Sequence, residues 1–109
     1  MHEMGIALEV IDAVSTRAAG SRISRVVLEV GALTAVLPDS LRFCFDVACE
    51  GTPLEGAKLE IVQKPARARC LACQAEMELS RPFGRCACGG TDLDFLTGDE
   101  LRIFEMEVI

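Results

Sequence analysis

Between Pro65 and Gly98 the chain shows no sustained hydrophobic period; in its place stand two tight cysteine pairs, Cys70-x2-Cys73 and Cys86-x-Cys88, with twelve residues between them. A stretch whose few large apolar side chains include Leu71, Met77, Leu79, Phe83 and Leu93 is too poor in them to hold itself together by a core. Four thiolates around one Zn(II), each at about 2.3 Å, would close two small loops and supply the missing folding free energy. The spacing therefore predicts a structural zinc site on Cys70, Cys73, Cys86 and Cys88. Disulfides or inert thiols are the competing readings. The second pair is one residue shorter than the usual C-x2-C knuckle, in which backbone amides beyond the first cysteine turn back onto its sulfur. Gly89 and Gly90, directly after it, give the backbone freedom to compensate. On spacing alone a regular four-sulfur site, a distorted one, and one with a ligand from elsewhere all stay open.

The 109 residues, half of them apolar, suffice for one main core with a small appendage and hardly for two full domains. The net charge of −6 is unevenly spread: residues 1–65 sum to −3, residues 66–91 to +2 and residues 92–109 to −5. An acidic chain has no broad electrostatic grip on nucleic acid or an anionic membrane, since both require Lys and Arg against phosphate. No apolar run approaches the roughly 18 to 20 residues needed to cross a bilayer, and no charged segment followed by an apolar one opens the chain as a secretory signal would. The expected compartment is a reducing cytoplasm, where clustered cysteines are metal ligands more readily than disulfides.

Outside the cysteine-rich stretch the periodicity is regular. Met4, Ala7, Leu8, Ile11, Val14 and Ala18 recur at helical spacing and Gly20 follows as a stop, which predicts an amphipathic helix. Residues 23–30 alternate Val26, Leu28 and Val30 against Arg25, Val27 and Glu29, as a strand with one face well buried. Pro38, Asp39 and Ser40 suit the first turn of a second helix, whose apolar side carries Leu41, Cys44, Phe45 and Ala48 before Gly51 closes it. A second strand is expected at about residues 57–63, and a last one over residues 101–109, with Phe104, Met106 and Val108 alternating against Glu105 and Glu107. The order is helix, strand, helix, strand, insert, strand, so the last strand must return from the insert to a sheet begun earlier. Cys44 and Cys49, five apart on the second helix, do not share a helical face and read as small core side chains.

The single histidine is His2. Removal of an initiator methionine requires a small second residue, so a bulky His2 is expected to leave Met1 and its α-amino group in place. The Met1 amine, the His2 amide and the His2 imidazole Nδ1 then form adjoining five- and six-membered chelate rings, with the Glu3 amide as a fourth nitrogen. Such a planar, strong-field set suits Ni(II) or Cu(II) and suits tetrahedral Zn(II) poorly. A frayed terminus is the alternative reading. Against it, the helical stripe begins at Met4, and Glu3 stands at the helix start, where a carboxylate is favoured.

The opening Met1-His2-Glu3-Met4, the block Leu37-Pro38-Asp39-Ser40-Leu41-Arg42-Phe43-Cys44-Phe45, and Cys70-x2-Cys73 followed by Cys86-x-Cys88-Gly89 together resemble the HypA/HybF family of hydrogenase nickel-incorporation proteins, in order and over essentially the whole chain. The resemblance implies an α+β fold, with two helices packed on a small three-stranded sheet and an inserted zinc-ribbon domain. The nickel-binding domain would be residues 1–65 plus 99–109 and the zinc ribbon residues 66–98. It implies a metallochaperone and not an enzyme: Ni(II) is transient cargo and Zn(II) is structural. The cargo would pass to the [NiFe]-hydrogenase large subunit, with a HypB-type GTPase, and in some organisms to urease. Residue by residue, His2 matches the family's nickel ligand beside the Met1 amine, Glu3 the neighbouring acidic residue, and Asp39 an acidic position near the nickel site. Cys70, Cys73, Cys86 and Cys88 match the zinc ligands. A homodimer is left open. The departure from the family pattern is Cys86-Ala87-Cys88, where a C-x2-C pair is usual.

Two other functions compete. A zinc-ribbon module for nucleic acid or protein interaction would use Arg67, Arg69, Arg81 and Arg85, but Phe83 is the sole aromatic between Arg67 and Arg85 and the last segment is acidic. A zinc hydrolase needs an open coordination position and a base, whereas a four-cysteine site is closed and the one histidine lies at the terminus.

Overall fold

Helix α1 spans Glu3–Ala18 in the computed structural model, which describes residues 2–81 and 83–109. It is followed by β1 (Ile23–Gly31), a 3-10 turn at Ala32–Thr34, α2 (Pro38–Cys49), β2 (Lys58–Lys64), β3 (Ala66–Cys70), β4 (Glu76–Leu79), β5 (Leu93–Thr97) and β6 (Leu101–Val108). The strands form two three-stranded sheets, ordered β2-β1-β6 and β4-β3-β5. The architecture is the α+β type that the family resemblance implied. The first compact unit comprises Met1–Leu28, Val36–Val62 and Arg102–Ile109; the second comprises Glu29–Ala35 and Gln63–Leu101.

In the first unit α1 buries Glu3, Ala7, Val10, Ile11, Val14 and Ala18 and packs against α2. The buried stripe is rotated from the predicted one: Met4 is 40 % and Leu8 54 % exposed. The cause is Glu3, whose carboxylate accepts a hydrogen bond from the Leu37 N–H at 3.2 Å and so turns its own helical face inward. The helix stops as expected, with Ala19 left-handed at φ 52°, its N–H on the Thr16 carbonyl, and Gly20 at φ 90°. α2 begins with Pro38 after Leu37, where the missing proline N–H costs no helical bond, and buries Leu41, Phe45 and Cys49. Burial pushes the Cys49 thiol up to about 11, as expected of a core cysteine, while Cys44 is half-buried.

β1 is the central strand and is buried on both faces from Val26 to Gly31, although its alternation predicted one. Its antiparallel pairing with β6 is marked by the Ile109 N–H on the Arg22 carbonyl (2.9 Å) and the Gly31 N–H on the Glu100 carbonyl (2.7 Å). Arg25 links all three strands through Glu60 on β2 (2.6 Å) and Glu105 and Glu107 on β6 (2.9 and 3.3 Å). The apolar side predicted for β6 is less covered than its alternation suggests, with Phe104 59 % exposed. β6 is an edge strand, so only one neighbouring strand can shield it.

The second unit contains strands that no periodicity announced. β3 pairs antiparallel with β4, Ala66 opposite Leu79 and Arg69 opposite Glu76, and with β5, Cys70 opposite Leu93. Residues 29–35 join this unit through the Leu33 N–H on the Gly98 carbonyl and a Glu29–Lys64 ion pair. Glycine is required at both crossing points: a Cβ on Gly31 would lie 2.1 Å from the Gly98 oxygen, and Gly98 itself sits at φ 126°.

Candidate metal centre

Cys70 is the last residue of β3, Cys73 lies in the turn to β4, and Cys86 and Cys88 lie in the loop before β5. The first turn is closed by the Cys70 N–H on the Ala75 carbonyl and the Gln74 N–H on the Cys70 carbonyl, both 2.8 Å. The second repeats the design with one residue fewer: the Cys86 N–H bonds the Gly90 carbonyl at 2.9 Å and the Gly89 N–H the Cys86 carbonyl at 2.8 Å. Gly89, at φ 92°, accommodates the tighter turn, and the Gly90 N–H donates to the Cys88 sulfur at 3.4 Å. The short C-x-C pair is thus closed by its own backbone turn, with the amide–sulfur bond on Cys88, its second cysteine.

All four Sγ atoms lie within 4.8 Å of one another, with Cys70 to Cys88 at 3.6 Å and Cys73 to Cys86 at 3.5 Å. Four sulfurs on a tetrahedral Zn(II) are about 3.8 Å apart, as bonds of about 2.3 Å require, whereas a disulfide needs about 2.05 Å. The donor set therefore fits zinc. Its electrostatics favour a cation too. N–H groups of Cys73 and Ala72 pull the Cys70 thiol down to about 7 against the effect of burial, so one thiolate forms readily. The Ala75 N–H also favours ionisation of Cys73, but the Cys86 and Cys88 thiols outweigh it and push Cys73 up to about 12. Four crowded sulfurs cannot all ionise without a cation among them.

At the N-terminus His2 is exposed and precedes α1, and its carbonyl accepts the first helical hydrogen bond, from the Ile6 N–H at 3.0 Å. Glu3 is buried, with its carboxylate on the Leu37 N–H at the start of α2. Asp39 lies in the first turn of that helix, but its side chain is fully exposed and bonds Arg42 at 3.2 Å. The fold thus brings Glu3 to the start of the helix that carries Asp39, while the Met1 amine expected among the ligands lies outside the described residues. Sequence reasoning placed Glu3 near the site but missed its tie to Leu37; the available signal was a carboxylate continuing the i, i+4 spacing of Ala7 and Ile11.

The profile of the HypA family, described as hydrogenase/urease nickel incorporation, metallochaperone, matches residues 1–108. The chain belongs to the HypA family. Members of this family are maturation factors and not enzymes. A hydrogenase maturation factor HypA from Nostoc sp. is 50 % identical over 108 residues, covering 99 % of this chain and 96 % of that one. The HypA of Geotalea uraniireducens is 44 % identical, covering 99 % of both chains. The solution structure of the Ni metallochaperone HypA from Helicobacter pylori matches with a TM-score of 0.65 and 21 % identity, over 100 % of this chain and 98 % of that one, a likeness of fold. Among the described residues no helix is long and apolar enough to cross a membrane.

Proposed function

We propose that this HypA-family chain captures Ni(II) at its N-terminus and hands it on during [NiFe]-hydrogenase maturation. The carrying observation is that α1 begins at Glu3 with its first bond from Ile6 to His2, which leaves the amides of residues 2 and 3 without helical acceptors beside an exposed imidazole. The His2 imidazole and amide, the Met1 amine and the Glu3 amide complete a planar nitrogen set for nickel. Glu3, tied to Leu37, holds that end of α1 in place, and Asp39 adds negative charge in the first turn of α2. Protonation of the nitrogens releases the ion, which suits transfer over storage.

In this reading Cys70, Cys73, Cys86 and Cys88 hold a structural Zn(II), and residues 66–98 form the zinc ribbon beside a nickel-binding domain of residues 1–65 and 99–109. The partners are a HypB-type GTPase and the [NiFe]-hydrogenase large subunit, as family membership suggests, and the work is cytoplasmic. The test is native mass spectrometry of the untagged chain, which reports Met1 retention, zinc count and nickel count together. His2→Ala is expected to abolish stoichiometric Ni(II) uptake and leave the zinc count unchanged. Wild-type nickel affinity in that variant would overturn the assignment.

A further inference from the structure

The ribbon's four arginines divide into two pairs of different character. Arg67 and Arg69 are neutralised by Glu76 and Glu78 across the β3–β4 ladder. Arg81 and Arg85 have no carboxylate partner among the described residues, and both are exposed, in a chain whose net charge is −6. Between them Phe83 is 65 % exposed, and the Arg81 guanidinium lies over its ring at 6.0 Å. Gly84 lies against the β4 side chain: a Cβ there would come within 2.6 Å of Leu79 Cδ2. A cation over an exposed aromatic ring, with a second unpaired and exposed cation two residues further along the chain, is poor economy for solubility alone, because it leaves apolar area and unpaired charge in water together.

We propose that Arg81, Phe83 and Arg85 form a docking tip for an acidic, apolar-anchored peptide segment of a partner protein. Each guanidinium donates a pair of hydrogen bonds to one carboxylate, and the exposed ring takes an apolar side chain set between the two acids. Charge complementarity chooses this occupant over a nucleic-acid backbone. A phosphate track needs a run of cations and several stacking rings, whereas the tip offers two arginines and one phenylalanine, with Asp92 and Asp94 following in the chain. The tip stands independently of the nickel ligands, none of which lies in this loop.

The test is amide-resolved NMR of the full zinc-loaded chain at low ionic strength, titrated with a synthetic peptide of alternating Glu and Leu and, separately, with oligothymidylate of equal charge. Saturable shifts at Arg81, Phe83, Gly84 and Arg85 are expected with the peptide. They should weaken by about tenfold in Arg85→Glu, reflecting like-charge contact, weaken in Phe83→Ala, and fade as salt is raised. Arg17→Glu, on α1, should bind as wild type does. The amide spectrum outside the loop and the zinc count report whether each variant is folded, and the wild-type shift map stands alone if one is not. Shifts that are absent or centred elsewhere, unchanged affinity in Arg85→Glu, or oligothymidylate displacing the peptide from the loop would each overturn the proposal.

Discussion

In the first unit the buried side chains are those of an ordinary core, Val14, Ile23, Val26, Leu28, Leu41, Phe45 and Leu54, with helix packed on helix. In the second, within residues 63–101, the buried apolar side chains are Ala66, Ala68, Cys70 and Cys86, two methyl groups and two thiols. Both units carry a sheet of three strands, yet one excludes water with branched and aromatic side chains and the other gathers sulfur. The difference teaches that one three-stranded sheet rests on apolar area while the other offers a donor set for coordination in its place, and that on the proposed reading the two should fail under different treatments.

The largest effect expected is from metal removal. Structural zinc in small cysteine-ligated modules contributes an apparent ~10–16 kcal/mol, far above what the ribbon's few buried atoms supply. Stripping zinc with a strong chelator should collapse the amide dispersion of β3, β4 and β5 while α1 and α2 keep theirs. If both units melt together at the same chelator concentration, the division of labour drawn here is wrong. The converse experiment is Phe45→Ala, which empties a fully buried site on α2 and should cost about 3–5 kcal/mol in the first unit. Zinc stoichiometry should not change, because Phe45 belongs to the first unit and the four cysteines of the cluster to the second. Denaturant unfolding followed by helix signal, with zinc release read in parallel, separates the two.

This contrast also decides what could be read without coordinates. α1, β1 and α2 were legible because their stability lies in apolar spacing, and spacing is visible in a string of letters. Even there the burial was shifted where a polar residue intervened: Glu3 went inward to Leu37, and Met4 and Leu8 went out. β3 to β5 gave no period to follow, since Ala66 and Ala68 are too small to signal a buried face, and Arg67 and Arg69 are held by Glu76 and Glu78 across the ladder. The cysteine cluster was legible from ligand spacing, but the closure of Cys86-Ala87-Cys88 needed the backbone bonds of Gly89 and Gly90 to be seen. At the N-terminus the ligand types were readable, and the spacing of Glu3 with Ala7 and Ile11 marked its inward face, whereas its partner Leu37 lies far off in sequence and could not be read from it.

A smaller effect is expected from Gly90→Ala. The added Cβ would stand 3.0 Å from the Cys70 sulfur and 3.4 Å from that of Cys88, so the sulfurs must shift by a few tenths of an ångström to admit it. Overpacking of this kind costs about 1–3 kcal/mol, which should appear as weaker zinc retention under chelator competition with the first unit's unfolding unchanged. An unaltered zinc affinity would show that the second knuckle is more pliable than its hydrogen bonds suggest.

The smallest effect concerns acid, and it distinguishes the units by mechanism. The hydrogen bond from Arg25 holds the Glu60 carboxyl below the usual range, and Arg67 and Arg69 do the same for Glu76. A carboxylate whose folded pKa is depressed adds stability that is present above its unfolded pKa and lost as pH falls through the folded one. The Arg25–Glu60 pair is half-buried and the Arg69–Glu76 pair exposed, so each contribution is small and screened by salt, the second more than the first. In the first unit that carboxylate loss contributes to the acid response, and Glu60→Gln should flatten part of the decline in thermal midpoint measured below about pH 5 at low salt. In the second unit Glu76→Gln should change little, because protons compete for the zinc thiolates and release of the metal unfolds the ribbon before its surface pair matters. Equal flattening by the two substitutions would mean that the ribbon, too, depends on its ladder of charges, and would remove the sharpest difference between the two sheets.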